Sequence, residues 1–570
     1  MLPMSKKRFV HYHNRPKKLT AEFINQEYAK LLMDLPAAES STTPELWLEL
    51  FSRRNALISY ISSEASRIGF AYSANTTNKK MEAANKYVEE RVEPAFAKPD
   101  MKIIKAFVAS QHRQAVADRY GQMLIVEAES VVKILSPVNI PLDVKLNRLA
   151  TKYYKLVAGA KVRVRGKTVN LPTLRSYSFS PDRALRKEAY LAGSKWFNSK
   201  HKTLSEIYAE MVRLRHQEAV NLKMQNYIPY SYIARSRHGY GHQEVANFRS
   251  LVRKHLVPLM KEVHLRRAQE LGDKKLKYWD IMYDPASEMQ MGITPVSKQM
   301  ANTSKLFKKM SPIFSKHFEF MRRHKLIDLE TRPNKQGGGY STDFTDENKS
   351  VIFLNSTGDP DDVTVITHEM GHAIQSMESF HIESVELQQP SHELAEVFSM
   401  GLEFLVLPYM EIFFDKENSR KFTLKKWHDT LYYACYICIV DEFQHWVYKH
   451  PKASPNNRDK AWALIFKRYF PAVDFSGYEQ YKSVRWYAQS HIFVSPFYYI
   501  DYALAEMAAV QLAVMAEKNH AKTLKSYLKL CKLGGTRTFV DALKLAGLES
   551  PFSEKLMIKV KKKLAKELLA

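Results

Sequence analysis

His368 and His372 constrain this chain more than any other pair of residues in it. They stand in Thr367-His-Glu-Met-Gly-His372, four positions apart, with a glutamate directly after the first. An α-helix turns once per 3.6 residues, so residues i and i+4 lie next to each other on one face. Two imidazoles placed there can hold a single Zn²⁺ through one nitrogen each, and a glutamate at position 369 can reach a water on the same metal and take its proton. The flanking residues agree with a helix. Gly358-Asp-Pro-Asp-Asp362 reads as its start, with Asp359 as cap, Pro360 at the first helical position and two acids at the positive end of the dipole. Val363, Ile366, Met370, Ile374 and Met377 follow at helical spacing and predict a buried stripe. The two histidines fall off that stripe, on a face shared with Gln375 and Ser379. Gly371 lets another backbone approach the metal.

A catalytic zinc needs a third protein ligand and an open position for water. The next candidate segment, Pro390-Ser-His-Glu393-Leu-Ala-Glu396-Val-Phe-Ser-Met-Gly-Leu-Glu403, reads as a second helix with Pro390 as breaker and Ser391 as cap. Glu393, Glu396 and Glu403 fall near one face of it. Acids on an otherwise apolar helix are costly to bury unless they are paired or bound to metal. Spacing alone leaves Glu393 and Glu396 both open as the ligand.

Two further stretches stand out. Gly337-Gly-Gly-Tyr340 is followed by the β-rich Lys349-Ser-Val-Ile-Phe-Leu-Asn355, which ends just before the histidine helix. His491-Ile-Phe-Val-Ser-Pro-Phe-Tyr-Tyr-Ile-Asp-Tyr502 gathers an imidazole and three phenols within about three helical turns; without the metal motif it would read as aromatic core.

With His368-Glu-Met-Gly-His372-Ala-Ile-Gln, Leu394-Ala-Glu396-Val-Phe-Ser399-Met, Val440-Asp-Glu-Phe-Gln444, the glycine stretch and the His491–Tyr502 segment, the chain resembles the oligoendopeptidase F and Pz-peptidase branch of the thimet-oligopeptidase-like zinc peptidases. The matching motifs span roughly the second half of the chain. The resemblance implies Glu396 as third ligand, Glu369 as general base and one Zn²⁺ per chain. When water attacks an amide, negative charge grows on the carbonyl oxygen, and preorganised neutral donors stabilise it. The resemblance gives this role to a histidine and two tyrosines of the 491–502 segment, namely His491, Tyr502 and Tyr498, with Tyr499 as the alternative to Tyr498. It also implies that a strand beside the metal pairs with an extended substrate, which makes Gly338, Gly339, Tyr340, Phe353 and Tyr499 candidate substrate contacts. Glu403 would then orient a metal ligand from behind.

The remaining features bound the reading. Three cysteines in 570 residues give no disulfide framework. Cys435-Tyr-Ile-Cys438 lies in a strongly apolar helical run with no second pair, and reads as small core residues. Met1-Leu-Pro-Met-Ser-Lys-Lys-Arg is basic but no apolar stretch follows it, and no uncharged apolar run approaches the ~18 residues of a membrane span. Together these predict a cytoplasmic protein without membrane association. The net charge of +26 favours acidic partners, yet Lys and Arg are scattered along the chain, and Lys559-Val-Lys-Lys-Lys563 reads as the solvated face of an amphipathic helix. Specific nucleic-acid binding is therefore not expected.

From Thr20 to about Tyr190 the pattern is helical almost throughout, with a polar helix over Met81–Arg91. Lys161-Val-Arg-Val-Arg-Gly-Lys-Thr-Val predicts a hairpin, and Ser180 or Asp182 a helix cap. The expected fold is mainly α, with a small β-sheet beside the zinc helix; the resemblance implies a multi-helix, two-part peptidase enclosing a deep substrate channel. The domains expected are an N-terminal helical domain over 1–200 and a catalytic domain over 201–570. The expected activity is zinc-dependent hydrolysis of internal bonds in short, unstructured peptides. Two other classes compete: a zinc-containing peptide-binding protein without catalysis, which the intact Glu369 argues against, and a nucleic-acid-associated protein, argued from charge alone.

Overall fold

A computed structural model describes residues 12–13, 15–289 and 294–569; the basic Met1–Arg8 stretch lies outside the described residues. The chain is mainly α-helical, with three small sheets among the described residues. It divides into two compact units, each assembled from three separate stretches. The first takes the residues up to 133, those from 294 to 413, and 512–548; the second takes 134–289, 414–511 and 549–569. A division at residue 200 coincides with none of these breaks. It falls inside the second unit, between the helices Arg183–Ser199 and His201–Asn221. Two of the breaks, at 133/134 and 511/512, fall inside the helices Met123–Ile134 and Ile500–Cys531, where periodicity carries no mark of them.

In the first unit the core is aromatic and aliphatic. Trp47, Phe51 and Phe107 meet with ring centroids 4.7–6.2 Å apart. A three-stranded sheet has Lys349–Ser356 at its centre, parallel to Ile327–Glu330 and antiparallel to Tyr340–Phe344. Tyr340 is opposite Phe353 and Ser341 opposite Ile352. Five successive residues of the central strand, Ser350 to Leu354, are buried, as expected when both faces are covered. The helix Asp361–Ser379, which carries the histidine motif, packs against the central strand and against Tyr340–Phe344. Among the described strands Tyr340–Phe344 pairs with the central strand alone, so it is an edge of this sheet.

The start of the motif helix is set as its sequence suggests, with a shift of one residue. Asp359 Oδ1 accepts from the Asp361 N–H, and the Asp362 carboxylate reaches back to the N–H groups of Thr357 and Gly358. Pro360 itself occupies the cap position. Val363, Ile366, Met370 and Ile374 are buried; Met377 is half-buried. Ser391 sits at the cap of the helix His392–Leu405, but its hydroxyl accepts no cap hydrogen bond.

The second unit is built around the long helix Lys416–Lys449 with His242–Glu270, Pro455–Tyr469 and Glu554–Leu569 packed against it. The hairpin Val162–Val164/Lys167–Val169 turns through Arg165 and Gly166, both at positive φ (48° and 75°), the pattern of a tight type I′ turn. Asp182, not Ser180, caps the following helix by accepting from Leu185 N–H. Cys435 and Cys438 are buried and unbridged, and burial raises both thiol pKa values. In the final helix Lys559 faces Glu549, while Lys563 folds under to Glu567 and the Trp427 ring. Among the described residues no helix is long and apolar enough to cross a membrane.

Candidate functional site

In the first unit the two helices that carry His368, His372 and Glu396 touch almost backbone to backbone. A Cβ built on Gly371 would lie 2.5 Å from the Phe398 carbonyl oxygen and 2.6 Å from Ser399 Cα. The glycine therefore serves helix–helix contact: it admits the backbone of the glutamate helix, and with it Glu396, to the motif helix. The Tyr527 hydroxyl donates to the Phe398 carbonyl at 2.8 Å, satisfying the oxygen nearest this crossing.

The result is a three-ligand constellation. One atom each of His368, His372 and Glu396 lies within 4.8 Å of the others. Glu396 Oε2 is 3.4 Å from His368 Nε2 and 3.7 Å from His372 Nε2, and the two imidazole planes are inclined at 80°. Two imidazole nitrogens and a carboxylate oxygen at these separations fit one tetrahedral divalent ion with a position left over. Glu393 is buried on the first turn of the same helix and is not part of this group. Glu403 Oε1 takes a hydrogen bond from His368 Nδ1 at 2.7 Å, which turns Nε2 of that ring toward Glu396. The Ser399 hydroxyl donates to Glu396 Oε2 at 2.9 Å.

The electrostatics follow from burial and from the surplus of acids. Burial opposes charge on His368, yet its hydrogen bonds to Glu396 and Glu403 outweigh it and raise its pKa well above the usual value. Burial likewise opposes charge on Glu396, but its hydrogen bond to His368 and the charge of His372 bring its carboxyl down to about 2. Burial takes His372 down to about 4. Glu369, 7 % exposed, is pushed up to about 7, chiefly by burial; the His368 charge opposes this, and the charges of Glu396 and Glu403 add to it. The negative potential that draws a proton to His368 also favours a divalent cation.

Around the glycine stretch, Gly338 has φ +99° and its carbonyl accepts from Asn355 Nδ2 at 2.7 Å. Gly339 has no room for a side chain, since a Cβ would meet Leu354 at 2.6 Å. Tyr340 is half-buried and stacks on Phe353 with centroids 5.0 Å apart. Phe353 is fully buried, so it supports Tyr340 from beneath and has no surface of its own to offer a ligand.

The second unit holds the other predicted group. His491 is within 4.6–6.5 Å, ring centroid to ring centroid, of Tyr498, Tyr499 and Tyr502. The Tyr498 and Tyr502 hydroxyls are 3.2 Å apart. Burial, reinforced by the charge of Arg235, lowers the His491 pKa to about 4, so the ring is neutral near pH 7. Gln489 Nε2 donates to His491 Nδ1 at 2.7 Å, and Gln489 Oε1 accepts from the Tyr436 hydroxyl at 3.2 Å. That relay leaves the His491 proton on Nε2, as a neutral donor. The tyrosines are delivered by a tight turn in which buried Phe497 has φ 63°. Its N–H donates to Gln444 Oε1 at 2.9 Å, Arg237 donates to its carbonyl and to Asp501, and Arg235 Nε donates to the Pro496 carbonyl at 2.8 Å. Gln489, Arg235 and Arg237 carry no pattern that periodicity could expose; Gln444 ends the Val440–Gln444 motif, which by itself points to no role for it.

The sequence model for peptidase family M3 matches residues 176–561, and that for the peptidase M3 N-terminal domain matches residues 15–135. The oligoendopeptidase F homolog of Borreliella burgdorferi is 21% identical over 381 residues, 65% of this chain and 62% of that protein. Oligopeptidase PepF of Bacillus subtilis is 20% identical over 380 residues, 65% of this chain and 55% of that protein. The chain thus matches less than two thirds of the length of either curated relative. The solved structure of Pz peptidase A with inhibitor 2 superposes with a TM-score of 0.88 at 31% identity, covering 97% of this chain and 98% of that one.

Proposed function

The chain belongs to peptidase family M3, and on that premise we propose that it is a zinc-dependent oligoendopeptidase that hydrolyses internal bonds of short, unstructured peptides. The observation that carries the reading is the grouping of His368, His372 and Glu396 donor atoms within 4.8 Å, with Glu369 on the same helix turn. Zinc held by those three residues would polarise the scissile carbonyl and acidify a water.

Glu369 accepts the proton of the attacking water at its carboxylate and passes it to the departing amine. Its pKa of about 7 suits a group that must both take and give a proton. Glu403 holds His368 in its ligating tautomer through Nδ1. His491, as a neutral Nε2–H donor, and Tyr498 and Tyr502, through their hydroxyls, stabilise the oxyanion; Tyr499 is the alternative to Tyr498. The edge Tyr340–Phe344 pairs with the substrate backbone, and Gly338, Gly339 and Tyr340 contact it, since main-chain hydrogen bonds need an extended chain and tolerate any side chain. A folded protein holds most of its extended segments in its own sheets, whereas a short unstructured peptide has them free. The protein acts in the cytoplasm with one zinc ion and no membrane or specific nucleic-acid partner.

A mixed peptide library incubated with the protein, with chelator, and with chelator followed by zinc, then read by mass spectrometry, tests the reading. Internal cleavage of short peptides that chelation stops and zinc restores is the expected result. Cleavage that persists in chelator excludes the mechanism.

A further inference from the structure

The second unit contains a cavity of about 560 Å³, within the ~300–1,000 Å³ range of small-ligand sites. His491 and Tyr499 form part of its wall. Its other walls come from the helices Leu171–Ser176, Arg183–Ser199 and Lys416–Lys449 and the short turn Arg485–Ala488. Six tyrosines line it, and so do two guanidiniums, Arg175 and Arg485; among the described residues lining it none is acidic.

Arg485 is the unusual member. Its guanidinium lies 5.3 Å from the Tyr278 ring centroid and 5.6 Å from that of Tyr436. Among the described residues no carboxylate comes within ion-pairing distance of it, nor of Arg175 on its exposed helix. Asp429, one turn before Tyr432 and Tyr433, does not line the cavity and is engaged by Lys425 at 3.1 Å. Aromatic faces compensate a desolvated cation only in part, whereas a carboxylate meets a guanidinium with two parallel hydrogen bonds. A cavity with a neutral aromatic wall, two cations and no anion is complementary to an acid.

We propose that this cavity binds a carboxylate of the peptide substrate through Arg485 and Arg175, with the tyrosines packing the chain that carries it. The proposal rests on the peptidase reading for its ligand class. Two sources share this chemistry: an Asp or Glu side chain, and the free C-terminus of a short peptide.

Titration calorimetry on the full-length Glu369→Gln protein, which binds without turnover, separates them. One flexible hexapeptide is used in four forms, with Glu or Gln at an internal position and with a free or amidated C-terminus. At least one acid should bind ~10–100-fold more tightly than its neutral counterpart, the range of hydrogen bonds to charged groups. A Glu/Gln gap assigns the side chain; an acid/amide gap assigns the terminus. Arg175→Gln, at an exposed position, should shrink the gap severalfold, and Arg485→Lys, which keeps the charge but loses the fork, should shrink it further. Lys195→Gln removes the same charge outside the cavity and should leave the gap intact, which controls for the attraction of any anion to a chain of net charge +26. Equal binding of all four forms, or a gap that survives Arg175→Gln and Arg485→Lys, overturns the proposal. Absence of hydrolysis by the zinc-loaded wild type would overturn the peptidase reading and leave the binding gap standing, so the two failures are distinct.

Discussion

Glu369 and Glu396 are both buried acids beside the same two histidines, yet their environments shift their pKa values in opposite directions. Glu369, with a pKa of about 7, matches the proton exchange proposed for it; Glu396, at about 2, matches the proposed anionic ligand. Glu369→Gln should keep bound metal and fold while kcat falls ~10²–10⁴-fold; metal analysis beside steady-state rates checks it. Glu396→Ala should lower zinc content far more than Glu393→Ala, as metal analysis of the two purified variants would decide. Tyr502→Phe should lower kcat and kcat/KM together by ~10²–10³-fold with KM little changed, because an oxyanion donor acts only in the transition state. If the ring were only a packing group, activity would be almost unchanged; if the hydroxyl mattered only through its contact with the Tyr498 hydroxyl, rate and melting temperature would fall together. The His491 pKa of about 4 adds a sign. Its ordinary value is 6.5, so between pH 6.5 and 4 the unfolded chain takes up a proton that the folded one refuses, and stability falls as pH drops through that window. His491→Asn should flatten this part of a melting-temperature-versus-pH curve. Residue identity was legible wherever a fixed helical offset mattered: His368, Glu369 and His372. The choice between Glu393 and Glu396 was not, because both face the same side, and only the second helix's placement against Gly371 separates them.

At the scale of elements, the decisive contact is the crossing of the motif helix and the glutamate helix. Its closeness depends on a missing side chain. Gly371→Ala raises intrinsic helix propensity, so a helix judged alone would gain stability. Here the new methyl meets the Phe398 carbonyl at 2.5 Å, and overpacking of this kind costs about 1–3 kcal/mol. Thermal melts should show a lower midpoint, and metal titration a weaker affinity, since Glu396 is carried away with the displaced backbone. The helices, the glycine-turn hairpin at Arg165–Gly166 and the strand before the motif were legible because period, cap and turn residues all act locally. The turn at Phe497 was not. A phenylalanine at positive φ contradicts its own preference, and it is held by Gln444 and Arg237, 53 and 260 residues away in sequence.

For the molecule as a whole, the expected outcome is selection by conformation. Short flexible peptides should be cut and native lysozyme left intact, whereas short unstructured peptides excised from the same lysozyme should be degraded; gel and mass spectrometry would read both. The mainly helical class was legible from periodicity, but the partition into two units was not, because each is closed by contacts among stretches hundreds of residues apart. That interleaving has a consequence during synthesis. His368, His372 and Glu396 leave the ribosome close together, but the tyrosine that caps the crossing beside them, Tyr527, follows 129 residues after Phe398. A nascent chain therefore holds the histidines of the proposed metal site well before the structure that seats them is complete, and a chain ending before residue 527 would carry the proposed ligands without the framework that orients them.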